Sequence, residues 1–159
     1  MNPSTAAAAF PAFPAFPTFA GIPWIAEHPI AYPALEVVHI VGIALLLGNL
    51  LALEVRVWGV AREIPLPALA RLSLTLSLAG FGIAAMSGLL MFAAAPNEML
   101  SNNSFLWKMG LLQLAGLNAA WFHARGGIAR IDRMARAQTA LSLGLWLSVI
   151  ICGRWIAYT

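Results

Sequence analysis

The sequence predicts an all-α integral membrane protein: a bundle of four transmembrane helices, both termini outside, with an extended Ala-Phe-Pro arm at the N-terminus. Three observations carry that expectation. Of 159 residues, 61% are hydrophobic and only 9% charged, with mean hydropathy +0.82; an average soluble domain has roughly 25% charged residues. Four apolar blocks each reach the ~20 residues that cross the hydrocarbon of a bilayer. The basic residues gather in two loops and leave the other connections bare, which is an orientation signal. The net charge of +3 therefore reads as topology, and no nucleic-acid partner is implied. Strands are not expected, because an open sheet cannot satisfy its backbone in lipid.

Residues 1–22 form a segment of their own. Ala-Phe-Pro occurs three times in succession, at 9–11, 12–14 and 15–17, with no charged side chain nearby. Proline at every third position forbids a helix and favours polyproline II. A cleaved signal peptide has a basic start and a continuous apolar stretch, and this segment has neither. It reads as a flexible tail, or as an arm laying its phenylalanines on a neighbouring subunit or on lipid. Residues 23–33, with Trp24 and the breakers Pro29 and Pro33, read as an interfacial segment in which His28 is solvated. Residues 34–159 hold the bundle.

The first span is predicted at 34–60 and carries Glu36, His39, Asn49, Glu54 and Arg56 among its apolar residues. The second, 68–95, opens after Pro65 and Pro67. In it Ser73, Ser77, Gly80, Ala84 and Ser87 recur at steps of four and three. This narrow stripe of small residues lets transmembrane helices approach closely, and packing is the only role assigned to it. Residues 96–104 predict a turn, with Ser104 capping a third span at 105–124. Gly126 and Gly127 end that span. A basic connection leads to the fourth span, 137–157, and Asp132 and Glu63 read as surface charges. Arg56, Arg62 and Arg71 surround the first connection, and Arg125, Arg130, Arg133 and Arg136 the third, whereas the tail and the second connection hold no lysine or arginine. The positive-inside rule places both basic loops in the cytoplasm.

An ionisable side chain within a span marks a functional site by default, so His39 leads to the question of what shares its depth. At 1.5 Å per residue, His39, Lys108 and Arg154 each lie roughly 10 Å outward of their helix midpoints. Trp107, Trp155 and Tyr158 flank them as an interfacial belt. Glu36, one turn before His39, is the carboxylate at hand to pair with Lys108 or Arg154. Either that pairing closes an internal network, or an anionic ligand completes the set. Haem b fits, with His39 Nε2 as the metal ligand and Lys108 and Arg154 on the propionates. A quinone fits by accepting from His39 or Lys108. Met86, Met91 and Met109 lie near the outer half as second-ligand candidates, although helix methionines are more commonly core residues. His123, with Arg56, sits at the inner end, roughly 22 Å along the helix from Lys108, as an edge residue or as part of a second site. Copper held by His28, His39 and nearby methionines is a further reading on ligand softness. The single Cys152 excludes an intrachain disulfide, and the lack of a Cys-x-x-Cys-His motif excludes covalently attached haem. No phosphate loop, His-Glu-x-x-His motif or Ser-His-Asp set at one depth occurs, so no catalytic residue is assigned.

The stretches EVVHIVGIALLLGNL, FLWKMGLLQLAGLNAAWFH and GRWIAY, in that order, resemble a family of small four-helix bacterial membrane proteins described only as a domain of unknown function. The resemblance covers residues 24–158 and excludes the arm. It implies a multi-pass protein of the bacterial inner (cytoplasmic) membrane with periplasmic termini. More distantly, a histidine in the first span (His39) and a lysine opening the third (Lys108) are similar to the HemJ-type membrane protoporphyrinogen oxidase and to copper-resistance D-type membrane proteins. The HemJ type is associated with haem b, which implies a tetrapyrrole site at His39 and Lys108. The chain departs from that type around His39 and lacks the histidine that closely follows the lysine, which points away from the oxidase reaction. Three functions stand as expectations: a membrane-embedded redox subunit binding haem b or quinone in the outer leaflet, a non-catalytic subunit of a larger complex or homo-oligomer contacted through the arm, or a copper-handling protein.

Overall fold

A computed structural model describes residues 19–158. Among them lie six α-helices and no strand: α1 (Pro23–Glu27), α2 (Ala31–Val57), α3 (Leu66–Ala94), α4 (Pro96–Ser101), α5 (Asn103–Ala124) and α6 (Arg133–Trp155), with 3-10 turns at Gly127–Ala129 and Ile156–Tyr158. Three helices are long and apolar enough to cross a membrane: α2, α3, and α6 with its 3-10 extension. α5 has the length, but Lys108, Gln113, Asn118 and His123 interrupt its apolar run, and it falls short of the others in hydropathy. The four apolar spans expected from the sequence thus reduce to three and a more polar partner. The long helices turn large apolar side chains such as Val37, Ile40, Leu78, Leu117 and Ile151 outward and bury small residues. That arrangement suits a lipid surround, where burial of apolar area drives nothing and close packing does.

Prolines place the helix starts. Pro33 lies inside the first turn of α2, and Pro67 inside that of α3. A first-turn proline forfeits an N–H that has no helical partner in any case, so both helices begin earlier than the breakers suggest. His28 Nδ1 accepts from the Ile30 and Ala31 N–H groups at 3.2 Å each and so caps α2. The expected turn at 96–104 contains α4, opened by Pro96. The N-cap of α5 is Asn102, not Ser104: its Oδ1 accepts from Phe105 N–H at 3.1 Å, while its Nδ2 donates to Ile156 O at 3.1 Å. Asp132, read as a surface charge, is the N-cap of α6, accepting from Ala135 N–H at 2.8 Å and pairing with Arg125 at 3.0 Å and Arg130 at 3.3 Å.

The Ala-Phe-Pro repeats lie outside the described residues, but the end of the 1–22 segment does not. Phe19 exchanges both backbone hydrogen bonds with the Asn97 amide at 3.0 Å, and Ile22 N–H donates to Ala93 O at 2.8 Å. Residues 19–22 therefore fasten to the chain's own α3–α4 corner.

The closest packing is between α2 and α3. A Cβ on Gly42 would stand 2.6 Å from Ala84 N, and one on Gly80 would stand 2.5 Å from Leu46 N; the two backbones touch. Ser73, Ser77, Ala84 and Ser87 of the stripe are all buried, and Ser77 Oγ donates across to Leu46 O at 3.2 Å. The second pair is α5 with α6, tied by Asn118 Nδ2 donating to Gln138 O at 2.9 Å. Fewer contacts join the pairs. They include the stacked Phe92 and Phe105 rings, 5.6 Å apart, and Trp58 Nε1 donating to Thr139 Oγ1 at 2.8 Å.

Gly80→Leu is expected to lower stability by about 1–3 kcal/mol or more, because backbone cannot yield to the new side chain. Gly82→Ala, which meets nothing within 4 Å, is expected to be neutral; thermal unfolding in detergent distinguishes them. The Ala135 N–H, reinforced by Arg125 and Arg130, holds the Asp132 carboxyl below the usual carboxylate range. A depressed folded-state value stabilises above the ordinary aspartate range and is lost as pH falls through it. Wild type is therefore expected to melt above Asp132→Asn at neutral pH, with the gap closing in acid; a constant gap would contradict this.

Candidate histidine site

His39 sits on the face of α2 that meets α3, three residues before Gly42. The close approach at Gly42 brings its ring to the α3 backbone: Nδ1 lies 2.8 Å from Ala84 O and 3.1 Å from Ser87 Oγ. A carbonyl oxygen only accepts, so the geometry assigns the proton to Nδ1 and leaves the lone pair on Nε2. Ser87 Oγ meanwhile donates to Ile83 O at 2.7 Å, which leaves its lone pairs toward the ring. Gly88 makes room beneath it, since a Cβ there would lie 3.2 Å from His39 Cε1. The imidazole is half-buried and held at one nitrogen.

Lys108 enters from α5. Its Nζ lies 3.4 Å from where a Cβ on Gly153 of α6 would stand, so the ammonium rests in the crevice beside that glycine. It lies within electrostatic reach of His39. No carboxylate pairs with it among the described residues.

Two other residues of the expected set are placed elsewhere. Glu36 is exposed and forms no ion pair among the described residues, so no internal network closes on it. Arg154 is exposed too; its Nη2 donates to Tyr158 Oη at 2.5 Å, and the guanidinium lies 4.9 Å from that ring's centroid. A tyrosine four residues on captures it on the helix surface. Trp107 and Trp155 face outward at the same end, as a belt would. Met86 is exposed, while Met91 and Met109 are partly buried.

At the other end of the helices, His123 and Arg56 are each engaged separately. His123 is exposed and its Nδ1 donates to Ala119 O at 2.8 Å, on its own helix. Arg56 holds the α2–α3 connection through Ile64 O at 2.8 Å and Arg62 O at 3.1 Å. No group of three or more His, Cys, Asp or Glu side chains suited to a metal ion comes together among the described residues, so the copper reading gains nothing from the geometry.

Ser87, Ala84, Gly88 and Gly153 are the site residues that sequence reasoning missed. The signal for two of them, Ala84 and Ser87, was present: the small-residue stripe ends at Ser87, and aligning the stripe with Gly42 brings it opposite His39. Comparison with known proteins finds no matching family model, curated protein or solved structure.

Because Glu36 forms no ion pair among the described residues, Glu36→Gln is expected to change stability by no more than about 0.5 kcal/mol. Ser87→Ala, which removes one of the two α3 groups at His39, is expected to cost about 0.6–1 kcal/mol. The opposite ranking in thermal unfolding would restore the Glu36 network.

Proposed function

We propose that this chain is a membrane-embedded redox subunit that holds haem b in the outer leaflet through His39 Nε2. The observation that carries the reading is the hydrogen bond from His39 Nδ1 to Ala84 O. Metal-ligating histidines ordinarily donate their other ring N–H to a carbonyl or carboxylate, which fixes tautomer and ring orientation. The donor chemistry fits the group. Nε2 offers a lone pair at a fixed place, and the Lys108 ammonium, without a carboxylate of its own, suits a propionate. A bound haem b supplies one-electron redox chemistry. The chain's own part is to orient the ligand imidazole through Ala84 and Ser87, to neutralise an acidic substituent with Lys108, and to exclude water with the surrounding apolar helices.

A quinone is the second reading, favoured by Lys108 alone. With its proton on Nδ1, His39 has nothing to donate to a quinone carbonyl, and Lys108 is left as the donor. The wider setting proposed is a four-helix bundle of the bacterial inner membrane, termini periplasmic, with the Ala-Phe-Pro arm available to other subunits or to a second copy. The likeness to the HemJ type supports the tetrapyrrole, and the arginine asymmetry supports the orientation.

The test is the absorption spectrum of the full-length protein purified from haem-replete cells. Wild type is expected to show a Soret band that disappears in His39→Ala while the helical circular dichroism persists. Lys108→Met is expected to keep the band and bind haem about tenfold more weakly, the worth of one charge-assisted hydrogen bond. A wild-type protein without a Soret band would overturn the reading, and quinone in its extract would establish the second one.

A further inference from the structure

At the opposite end of α2 lies a group that the His39 site does not use. Glu54 is only 1% exposed, and neither of its carboxylate oxygens has a hydrogen-bond partner in the protein. Leu53 and Val57 beside it are buried as well. The register set by Gly42 against Ala84 and Leu46 against Gly80 carries Glu54 to the stretch of α3 around residue 72, whose flanking Ala70 and Ser73 are also buried. On the third side stands α6, whose Ser142 comes close without reaching hydrogen-bond geometry.

No charge faces Glu54 from any of these elements at ion-pair distance. On α2 itself, Arg56 is committed to the Ile64 and Arg62 carbonyls. On α3, Arg71 is exposed, and on α6 Arg133 and Arg136 are exposed. Arg125 of the α5–α6 connection is bound to Asp132 and to Gln138 Oε1. An ionised carboxylate, buried and unpaired, is among the most costly groups a protein can hold, whereas a carboxylic acid is far less so. Burial of an acidic side chain within a span, with no structural partner, is the arrangement of proton-carrying sites in membranes.

We propose that Glu54 is an intramembrane proton-binding site, loaded from the end of the molecule that carries the arginine loops. The carboxylate takes up one proton to become a neutral acid and returns it as the same species, with no other reactant. Loading from that end follows from position. Glu54 stands one turn from the end of α2, and Ser142 and Thr139, one turn apart on α6, lead from its level toward the 3-10 turn and the basic connection. Thr139 Oγ1 accepts from Trp58 Nε1 at 2.8 Å and donates to Arg136 O at 2.9 Å, so a polar thread runs along that edge. The site is independent of the haem reading, since Glu54 lies about 22 Å along α2 from His39.

The test is infrared spectroscopy of the full-length protein in lipid, followed over pH. The expected result is the carbonyl stretch of an un-ionised carboxylic acid at neutral pH, lost in alkali and absent from Glu54→Gln, which preserves the shape of the neutral acid. Dicyclohexylcarbodiimide, which reacts with protonated carboxyls in apolar surroundings, locates the group in wild type: an adduct mapped to Glu54 and unaffected by sodium is expected. No un-ionised band at neutral pH, a band that persists in Glu54→Gln, an adduct confined to Glu27, Glu36, Glu63 or Glu98, or protection by sodium, which would make the ligand a metal cation, each overturns the proposal.

Discussion

The backbone contact between α2 and α3 sets the rest of the molecule. Two glycines, Gly42 and Gly80, let the helices meet without side chains between them. Every placement along α2 then follows from that register. Three residues before Gly42, His39 meets Ala84 O and Ser87 Oγ. One turn after it, Leu46 O accepts from Ser77. Three turns after it, Glu54 is sealed from solvent. In lipid, such contact cannot be driven by burying apolar area. It rests on dispersion between closely fitted surfaces and on hydrogen bonds between helices. The stripe supplies both: small residues for the approach, and two serines whose hydroxyls reach carbonyls on or across the seam.

The second helix pair supplies what the first cannot. α5 carries polar residues within its span, and two of them are engaged on α6: Asn118 on Gln138 O, and Lys108 in the crevice at Gly153. The caps secure its ends. Asn102 joins the start of α5 to the end of α6, and Asp132 joins the end of α5 to the start of α6 through Arg125. Lys108 is thus carried by a helix held at both ends.

Much of this is legible in the sequence, because composition and helical period carry it. The long helices, the absence of strands among the described residues and the packing stripe all follow from composition and from counting residues at 1.5 Å apiece. The remainder depends on azimuth, which counting does not supply. Arg154 shares the depth of His39 but points elsewhere, since Tyr158 one turn on offers it a ring and a hydroxyl. Glu54 stands two residues from Arg56, yet a rotation of 200° over two residues buries one side chain and sends the other to the connection. Asn102 is one of several capping candidates in the run Ser101–Ser104, and only the chain direction selects it.

The central claim is that a nitrogen anchored by α3 leaves its neighbour free to bind iron. Pulsed electron paramagnetic resonance on the oxidised protein, grown with nitrogen-15 histidine, measures this directly. The account requires coupling of haem iron to one histidine imidazole, with the remote ring proton hydrogen-bonded, and loss of that coupling in His39→Ala. An iron centre whose nitrogen couplings survive that substitution, or one bound by two histidines, would contradict it.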